Sequence, residues 1–375
     1  MEFYDELKSY PWDEIEKQVE SRSESDVKRA LNAHPTRLED FLCLLSPAAA
    51  PFLEAMAQRA HRLTEQRFGR VISLFAPLYL SNVCSNSCVY CGFNVRNPVA
   101  RLTLTAEQAA AEGNHLHKLG FRHLLLVSGD SPQLVTMDYF RAVMEKLRPL
   151  FASISVEIFP MTTGAYKELI DLGVDGLTVF QETYNEHRYG DFHPGGKKRD
   201  FAWRLSTPER GGDAGFRRLG LGALLGLCNW RVEGFFLGLH ARYLLRSFWQ
   251  SQIAISFPRL RPAAGAYEPP APVSDADFVQ LLTALRLFLP DAGLVLSTRE
   301  SPSFRDHLIP LGVTSMSAGS RTEPGGYAHD RHAEAQFEVA DERPPQVVAE
   351  VIREKGYDPV WKDWDPAFLQ YSQAG

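Results

Sequence analysis

Three cysteines, Cys84, Cys88 and Cys91, lie within eight residues directly after the apolar run 71–80. On a loop that leaves a strand, spacings of four and three allow the three sulfurs to point at three corners of one cube, and cubane iron–sulfur clusters take thiolate ligands. The fourth iron would then have no protein ligand. Because an iron with an open position can bind and reduce a substrate, the spacing predicts a reactive cluster and not only an electron carrier.

The sequence gives less support to two other uses of these thiols. A structural zinc site usually takes four ligands from paired Cys and His, and neither Cys43 nor Cys228 lies at such a spacing, although a His or Asp could complete a site. A disulfide is disfavoured because five cysteines without a secretory signal indicate a reducing compartment. We interpret Cys43 and Cys228 as buried apolar thiols.

Composition excludes several classes of partner. The formal net charge is −6 and the Lys and Arg residues are scattered, so no electrostatic footprint for nucleic acid is present. The basic run 197–199 is interpreted as a solvated loop. The N-terminus has no apolar stretch of the signal-peptide type, and the most apolar later stretch, 234–249, is interrupted by three basic residues, which argues against a membrane span. We therefore expect a cytoplasmic protein.

Apolar periodicity predicts the elements that position the cysteine loop. Residues 1–70 show helical spacing, and from residue 71 short apolar runs alternate with helical patterns, which is typical of βα units and a parallel sheet. The eight predicted strands are 71–82, 123–129, 153–160, 176–183, 219–227, 253–260, 293–300 and 314–320. The fold class is therefore α/β, a (β/α)8 TIM-type barrel over residues 71–320, with a helical extension over 1–70 and a C-terminal extension over 321–375 that contains a closing helix at 344–355.

Polar residues follow almost every predicted strand. In a parallel barrel all strand C-termini open on one face, where active sites are built. The residues concerned are Asn82, Ser128, Asp130, Glu157, Gln181, Glu182, Arg259, Arg261, Ser297, Arg299, Ser317 and Ser320. We expect them to converge on one mouth, partly covered by a loop from the long interval 182–219.

The pattern Cys-x3-Cys-x-Tyr-Cys resembles the radical S-adenosylmethionine (SAM) superfamily, in which an aromatic residue, here Tyr90, commonly precedes the third cysteine. The stretches 78–82, 91–93, 180–184, 257–262 and 297–301 narrow the resemblance to the 2-iminoacetate synthases, the tyrosine lyases of bacterial thiazole biosynthesis for thiamine. The resemblance extends from about residue 11 to residue 364.

The resemblance implies a 4Fe-4S cluster on Cys84, Cys88 and Cys91, with the amino and carboxylate groups of SAM on the fourth iron. One electron then cleaves SAM to methionine and a 5′-deoxyadenosyl radical. The expected SAM contacts are Tyr90, Ser128, Gly129, Asp130, Glu157, Glu182 and Gly222. Ser128-Gly129-Asp130 departs at two positions from the Gly-Gly-Glu-like family pattern, although Asp keeps the charge. For Glu157 and Glu182 the alternative is pairing with arginines at the rim. For Gly222 it is tight strand packing.

A tyrosine substrate needs a cation for its carboxylate. Arginine offers a bidentate fork, and Arg299 is the first choice, with Arg259 and Arg261 as alternates. The resemblance further implies that Tyr79 faces the substrate, unless it is a core aromatic residue, and that Ser317 meets the substrate amino group. Loss of a hydrogen from that amino group leads to rupture of the Cα–Cβ bond, with dehydroglycine (2-iminoacetate) and p-cresol as products.

Partners and competing functions follow from the same resemblance. The family's partners are thiazole synthase and a flavodoxin-type electron donor. One alternative is the tyrosine lyase of hydrogenase maturation, which carries a second cluster on C-terminal cysteines, whereas no cysteine follows Cys228 here. The others are a lyase acting on tryptophan and a redox or interaction protein with a structural cluster.

Overall fold

The computed structural model describes residues 2–33, 37–328 and 333–365. The N-terminal segment, for which the spacing of apolar residues predicted helices, contains five of them in the described residues. Ser23 begins the third of them with a reciprocal capping box to Asp26. The five are α1 (Phe3–Lys8), α2 (Trp12–Glu20), α3 (Glu24–Asn32), α4 (Leu38–Leu45) and α5 (Leu53–Phe68), with a 3-10 turn, Pro47–Phe52, before α5.

Eight parallel strands close into a barrel, because the first strand pairs with both the second and the eighth. Each strand falls within one predicted run, apart from single residues at the N-terminal ends, so the predicted (β/α)8 barrel is confirmed. The strands are β1 (Val71–Ser81), β2 (His123–Ser128), β3 (Ser153–Glu157), β4 (Gly176–Glu182), β5 (Arg218–Ala223), β6 (Gln252–Ser256), β7 (Gly293–Leu296) and β8 (Ser315–Ser317).

Helices connect the strands and cover the outside of the barrel. They are α6 (Ala106–Lys118), α7 (Met137–Leu147), α8 (Thr163–Asp171), α9 (Glu186–Phe192), α10 (Phe201–Leu205), α11 (Thr207–Ala214), α12 (Trp230–Ser247), α13 (Asp275–Phe288), α14 (Pro302–Leu308) and α15 (Pro345–Glu354). Helix α15 confirms the closing helix expected at 344–355. Two 3-10 turns, Lys197–Arg199 and Ile309–Leu311, complete the helical segments.

Period-two alternation along the strands separates core from cavity. In β1, Leu74, Ala76 and Leu78 are fully buried under the helices, whereas Phe75 and Tyr79 line the interior of the barrel. The main apolar core therefore lies between the strands and the surrounding helices. The inward positions are left free for a site.

The structure differs from the predicted elements in two places. The interval after β4 contains three short helices, α9 to α11, so only residues 193–200 between them form the expected loop. A ninth strand, β9 (Asp358–Val360), pairs in parallel with the start of β1 and was not predicted. Its three residues carry no periodic pattern, so only tertiary packing could reveal it.

The two flanking segments pack directly on the barrel. Helix α5 packs against α13, and β9 extends the sheet beside β1. The boundaries at residues 70 and 320 therefore stay a prediction, and residues 329–332 and 366–375 of the C-terminal extension lie outside the described residues.

Among the helices that the structure describes, none alone has the length and apolar composition that a membrane crossing requires. The pair Leu38–Leu45 and Pro47–Phe68 meets both conditions only when joined across an 83° bend.

Candidate active site

A cavity of about 690 Å³ occupies the barrel and reaches its C-terminal mouth. Side chains from strands distant in sequence meet on its wall because the strand ends converge there. The predicted site residues on that wall are Tyr79, Tyr90, Cys91, Glu157, Glu182, Arg299 and Ser317. The structure thus brings seven of the thirteen predicted residues to one space, while their roles stay predictions.

The cysteine loop is fixed by backbone hydrogen bonds to the segment after β4. Ser87 N donates to the carbonyl of Gly195, and Val89 N donates to the carbonyl of Phe192, both at 3.1 Å. Arg101 closes the loop from the other side, because its guanidinium donates to the carbonyls of Asn82, Phe93, Asn94 and Asn97. Sequence reasoning missed Arg101, which belongs to no motif.

Cys88 is buried, and Cys84 and Cys91 are partly buried. Burial raises the pKa of the Cys88 thiol. Burial, and then the neighbouring Cys88 and Cys84, raise the pKa of Cys91 to about 12. Thiolates at this loop therefore require compensation by cations. In the described part of the chain no three His, Cys, Asp or Glu side chains converge on a single ion.

The Ser128-Gly129-Asp130 segment lies against the first of these cysteines. The Asp130 backbone N–H points at Cys84 Sγ at 3.4 Å, and Ser85 N donates to the Asp130 carbonyl at 2.9 Å. Asn86 Nδ2 donates to Asp130 Oδ2 at 2.9 Å, whereas Oδ1 is buried and has no partner in the described residues. An unpaired buried acceptor is costly, so Asp130 Oδ1 beside the cysteine loop fits a donor from a bound ligand.

Gly129 and Gly222 are required by close packing. A Cβ at Gly129 would lie 2.3 Å from the carbonyl oxygen of Val83, in the cysteine loop itself. A Cβ at Gly222 would lie 2.4 Å from Phe180 Cε1 and 2.6 Å from the carbonyl oxygen of Ser256. These contacts favour strand packing as the reason for Gly222. Its contact with SAM stays a prediction.

The two glutamates on the cavity wall have different surroundings. Glu182 Oε1 lies 2.6 Å from Lys198 Nζ and 4.0 Å from Arg204 Nη2, so the ion pairing weighed as its alternative role is present. Only 12% of the Lys198 side chain is exposed. The interpretation of 197–199 as a solvated loop is therefore wrong for Lys198, because its ammonium turns inward to Glu182.

The carboxylate of Glu157, by contrast, has no hydrogen bond or ion pair among the residues that the structure describes, although its backbone pairs with β2. Burial, followed by the charge of Glu182, raises the pKa of Glu157 to about 7, although Arg299 acts in the opposite direction. Glu157 is therefore a carboxyl group that can take either protonation state near neutral pH.

Arg299 is the cavity arginine without a carboxylate partner in the described chain. Its guanidinium stacks on the Phe337 ring, 3.4 Å from the centroid. Arg259 forms ion pairs with Glu300 and with Asp275, the latter at 2.7 Å, and Arg261 is not on the cavity wall. The geometry therefore favours Arg299 over both alternates as the group that binds a substrate carboxylate.

Comparison with known proteins identifies the family. Residues 78–233 match the model of the Radical SAM superfamily, and residues 256–358 match the Biotin and Thiamin Synthesis associated domain. Curated 2-iminoacetate synthases are 48% identical over 372 residues in Salmonella typhimurium (strain LT2) and 47% identical over 373 residues in Escherichia coli (strain K12), covering 99% of each chain. The chain belongs to the 2-iminoacetate synthase family. It is thus a radical SAM lyase, as the sequence predicted.

Two solved structures share its fold. A crystal structure of HydG, a maturase of the FeFe-hydrogenase, has a TM-score of 0.88 at 32% identity and covers 96% of this chain and 84% of its own. The HydG from Carboxydothermus hydrogenoformans has a TM-score of 0.84 at 33% identity, covering 95% and 82%. The 2-iminoacetate synthase family thus shares this barrel with the hydrogenase maturase.

Further residues of this family member contact predicted ones and were missed by sequence reasoning. The hydroxyl of Tyr79 donates to Gln336 Oε1 at 2.7 Å. Tyr90 and His193 share a hydrogen bond of 2.8 Å. Because His193 Nδ1 faces the Tyr189 carbonyl at 2.9 Å, Nδ1 donates and Nε2 accepts from Tyr90.

Ser317 holds the end of β7 to β8. Its Oγ accepts from Thr298 N at 3.2 Å, and only 3% of the residue is exposed. The hydroxyl proton of Ser317 is left for an acceptor in the cavity. Neither Gln336 nor His193 stands in a pattern that marks a site, so only the folded structure shows their proximity.

Proposed function

We propose that this chain cleaves the Cα–Cβ bond of L-tyrosine to give 2-iminoacetate and p-cresol, using SAM and a 4Fe-4S cluster on Cys84, Cys88 and Cys91. The observation that carries the proposal is the free guanidinium of Arg299 in a cavity whose wall also includes Cys91. Family membership supports the same reaction, because the curated relatives are named for its product.

Bound at this loop, the cluster and SAM would supply the one-electron cleavage and hydrogen-atom abstraction that no side chain of this chain can perform. The protein's part is to hold the reactants. The buried Asp130 Oδ1 would accept from the SAM amino group, and Glu157 and Glu182 would offer further acceptors on the cavity wall. Tyr90, fixed by His193, would support the loop beneath them.

Arg299 would bind the tyrosine carboxylate through its fork, since its stacking on Phe337 fixes the plane of the guanidinium. Ser317 would meet the substrate amino group, and Tyr79 would line the aromatic part of the pocket. Rupture of the Cα–Cβ bond after loss of one amino hydrogen leaves a phenolic fragment that needs one electron and one proton to become p-cresol. A flavodoxin-type donor would supply the electrons.

The imine product hydrolyses in water, so the site has to exclude solvent. The segment after the barrel helps, because Gln336 and Phe337 are on the cavity wall above Tyr79 and Arg299. Direct transfer of 2-iminoacetate to thiazole synthase would protect the product further. In this proposal residues 71–320 form the catalytic barrel, and segments 1–70 and 321–375 are its N-terminal and C-terminal extensions.

The experiment is anaerobic reconstitution with iron and sulfide, reduction with dithionite, addition of SAM and L-tyrosine, and chromatography for 5′-deoxyadenosine and p-cresol. The wild type should yield both products. Cys88→Ala should bind less iron and yield neither, whereas Cys43→Ala, which removes a buried thiol on α4, should yield both.

Other outcomes would redirect the assignment. If 5′-deoxyadenosine appears without p-cresol, the substrate is not tyrosine, and L-tryptophan is the next to test. If a fully reconstituted cluster cleaves no SAM, the proposed reaction is wrong. A role in hydrogenase maturation would require cyanide or carbon monoxide among the products. Residues 229–375 contain no cysteine to hold a second cluster there.

A further inference from the structure

Glu182 has an unusual backbone conformation. Its φ is +72°, and Ala266 is the other residue with a side chain and a positive φ in the described ranges. Strands β4 and β5 shift register between Phe180 and Glu182, so the left-handed residue follows an irregularity in the ladder. A left-handed conformation is disfavoured for any residue with a Cβ and persists only where neighbouring contacts impose it.

Three hydrogen bonds hold the residues just beyond Glu182 in sequence. Thr183 Oγ1 donates to Glu233 Oε1, and Tyr184 N donates to Glu233 Oε2 at 2.9 Å. Thr183 Oγ1 also accepts from Asn185 N at 3.1 Å. The two oxygens of Glu233 thus bind the side chain of one residue and the backbone of the next, immediately after the strained position.

Glu233 has no evident reason to be buried other than these two contacts. It lies on α12, is 1% exposed and has no cationic partner in the part of the chain that the structure describes. Burying a carboxyl group costs free energy unless its hydrogen-bonding capacity is used. Its position outside the barrel wall also means that it does not line the cavity.

We propose that Glu233 is a positioning residue that, through Thr183 and Tyr184, fixes the end of β4 so that the Glu182 carboxylate faces the SAM part of the cavity beside Lys198. This inference rests on the proposed function in assigning Glu182 to SAM. It adds a residue from the outer helical layer, without contact to the cavity, on which the geometry of that contact depends.

The test compares three variants of the reconstituted holoenzyme. Glu233→Leu removes both acceptors, whereas Glu233→Gln keeps an oxygen for Tyr184 N and an amide to bond Thr183 Oγ1. Glu209→Leu is the matched control, because Glu209 is another buried acid whose two partners, Phe3 N at 3.1 Å and the Tyr243 hydroxyl at 2.7 Å, belong to α1 and α12 and not to the residues that end β4. SAM affinity is measured by calorimetry without reductant, together with the KM for tyrosine and the melting temperature.

Glu233→Leu should weaken SAM binding about tenfold, the scale on which outer-shell partners act at metal sites, with a smaller change in the KM for tyrosine. Glu233→Gln should restore most of the affinity. Glu209→Leu should lower the melting temperature and leave SAM affinity unchanged. Combined with Glu182→Gln, Glu233→Leu should have little further effect, since both changes remove the same contact.

Equal SAM affinity in Glu233→Leu and wild type would overturn the inference, and so would equal weakening in Glu209→Leu. If Glu233→Leu does not fold, Thr183→Val removes one of the two contacts and should weaken SAM binding in the same direction. Binding of SAM is measured apart from turnover, so a wild type that binds SAM but makes no p-cresol would count against the proposed function alone.

Discussion

The hydroxyl of Tyr79, on the first barrel strand, donates a 2.7 Å hydrogen bond to Oε1 of Gln336, which lies after the eighth strand. The segment around Gln336 is fixed at two more points. Gln336 N donates to the carbonyl of Thr322 at 2.9 Å, and the Gln336 carbonyl accepts from Gly92 N at 3.0 Å, in the cysteine loop. One segment outside the barrel therefore joins Tyr79 on the cavity wall to the cysteine loop.

Tyr79→Phe should weaken this connection. Removing the hydroxyl leaves a half-buried acceptor on Gln336 unpaired, at a cost of about 1 kcal/mol in the free energy of unfolding. The segment around Gln336 would then move more freely over the mouth of the barrel. The KM for tyrosine should therefore rise. Both quantities are measured by urea unfolding and by p-cresol formation.

Tyr139→Phe is the control for this change. Its hydroxyl donates to the Leu104 carbonyl at 2.9 Å, on the outside of the barrel at α7. The variant should lose similar stability without a change in KM. A rise in KM for both variants would show that general loosening, and not the bond to Gln336, is responsible.

Gly129→Ala should prevent normal assembly of the cysteine loop. Its Cβ would lie 2.3 Å from the Val83 carbonyl oxygen and 3.1 Å from Cys84 Cβ, and a backbone atom cannot yield as a flexible side chain does. We expect less iron bound per chain after reconstitution. Gly164→Ala, in the first turn of α8, has nothing within 4 Å of the new Cβ and should bind iron normally without losing stability. Full iron content in Gly129→Ala would contradict the packing argument.

The barrel and the cysteine loop could be predicted from sequence because both are local patterns. Apolar alternation marks each strand, and the three thiols stand within eight residues. Residues such as Gln336, Lys198 and Glu233 could not be found in this way. Each depends on a contact that no local pattern marks: Lys198 is 16 residues from Glu182, and Glu233 is 50 residues from Thr183, which it binds.

The sequence alone also could not separate the arginines proposed to bind the substrate carboxylate. Sequence reasoning ranked Arg299 first by its place at a strand end, where Arg259 was almost as well placed. Only the ion pairs of Arg259 with Glu300 and Asp275 separate the two. Charge pairing is a property of the folded surface, and residues 259 and 300 are 41 positions apart.

Arg299→Leu should raise the KM for tyrosine about a hundredfold. Removing one partner of a buried, hydrogen-bonded charge pair costs on the order of 2 to 5 kcal/mol of binding free energy. The KM of Arg299→Lys should lie between those of wild type and Arg299→Leu, because lysine keeps the positive charge but lacks the bidentate guanidinium. Production of 5′-deoxyadenosine without tyrosine, a property of the SAM side, should change little. Arg231→Lys, which alters an arginine paired with Asp277 on α12 and α13, should leave the KM unchanged, and an equal rise there would remove Arg299 from the substrate site.

The N-terminal end of the barrel carries a second polar cluster, in which Asp363 reaches back from the C-terminal segment. Its carboxylate lies 2.8 Å from His123 Nε2 and 2.9 Å from Arg218 Nη2, and accepts from the Ser73 hydroxyl at 3.2 Å. Burial acts to raise the pKa of Asp363, but the hydrogen bond to His123 and the charge of Arg218 outweigh it and hold the pKa well below its ordinary value.

A depressed pKa fixes the sign of the pH dependence. The ionised Asp363 stabilises the folded chain at every pH above the unfolded value of about 4, and this contribution disappears as the pH falls through the lower folded value. Asp363→Asn should therefore lose about 1 kcal/mol in the free energy of unfolding near neutral pH, a figure reduced for solvent screening because the side chain is one-third exposed.

Urea unfolding of wild type and variant should show this difference in stability between about pH 7 and pH 4, and its decline in more acidic solution. Asp358→Asn, an exposed change on β9, should show no such difference. A gap between wild type and Asp363→Asn that persists unchanged in strong acid would mean that the carboxylate charge does not hold the C-terminal segment to the barrel.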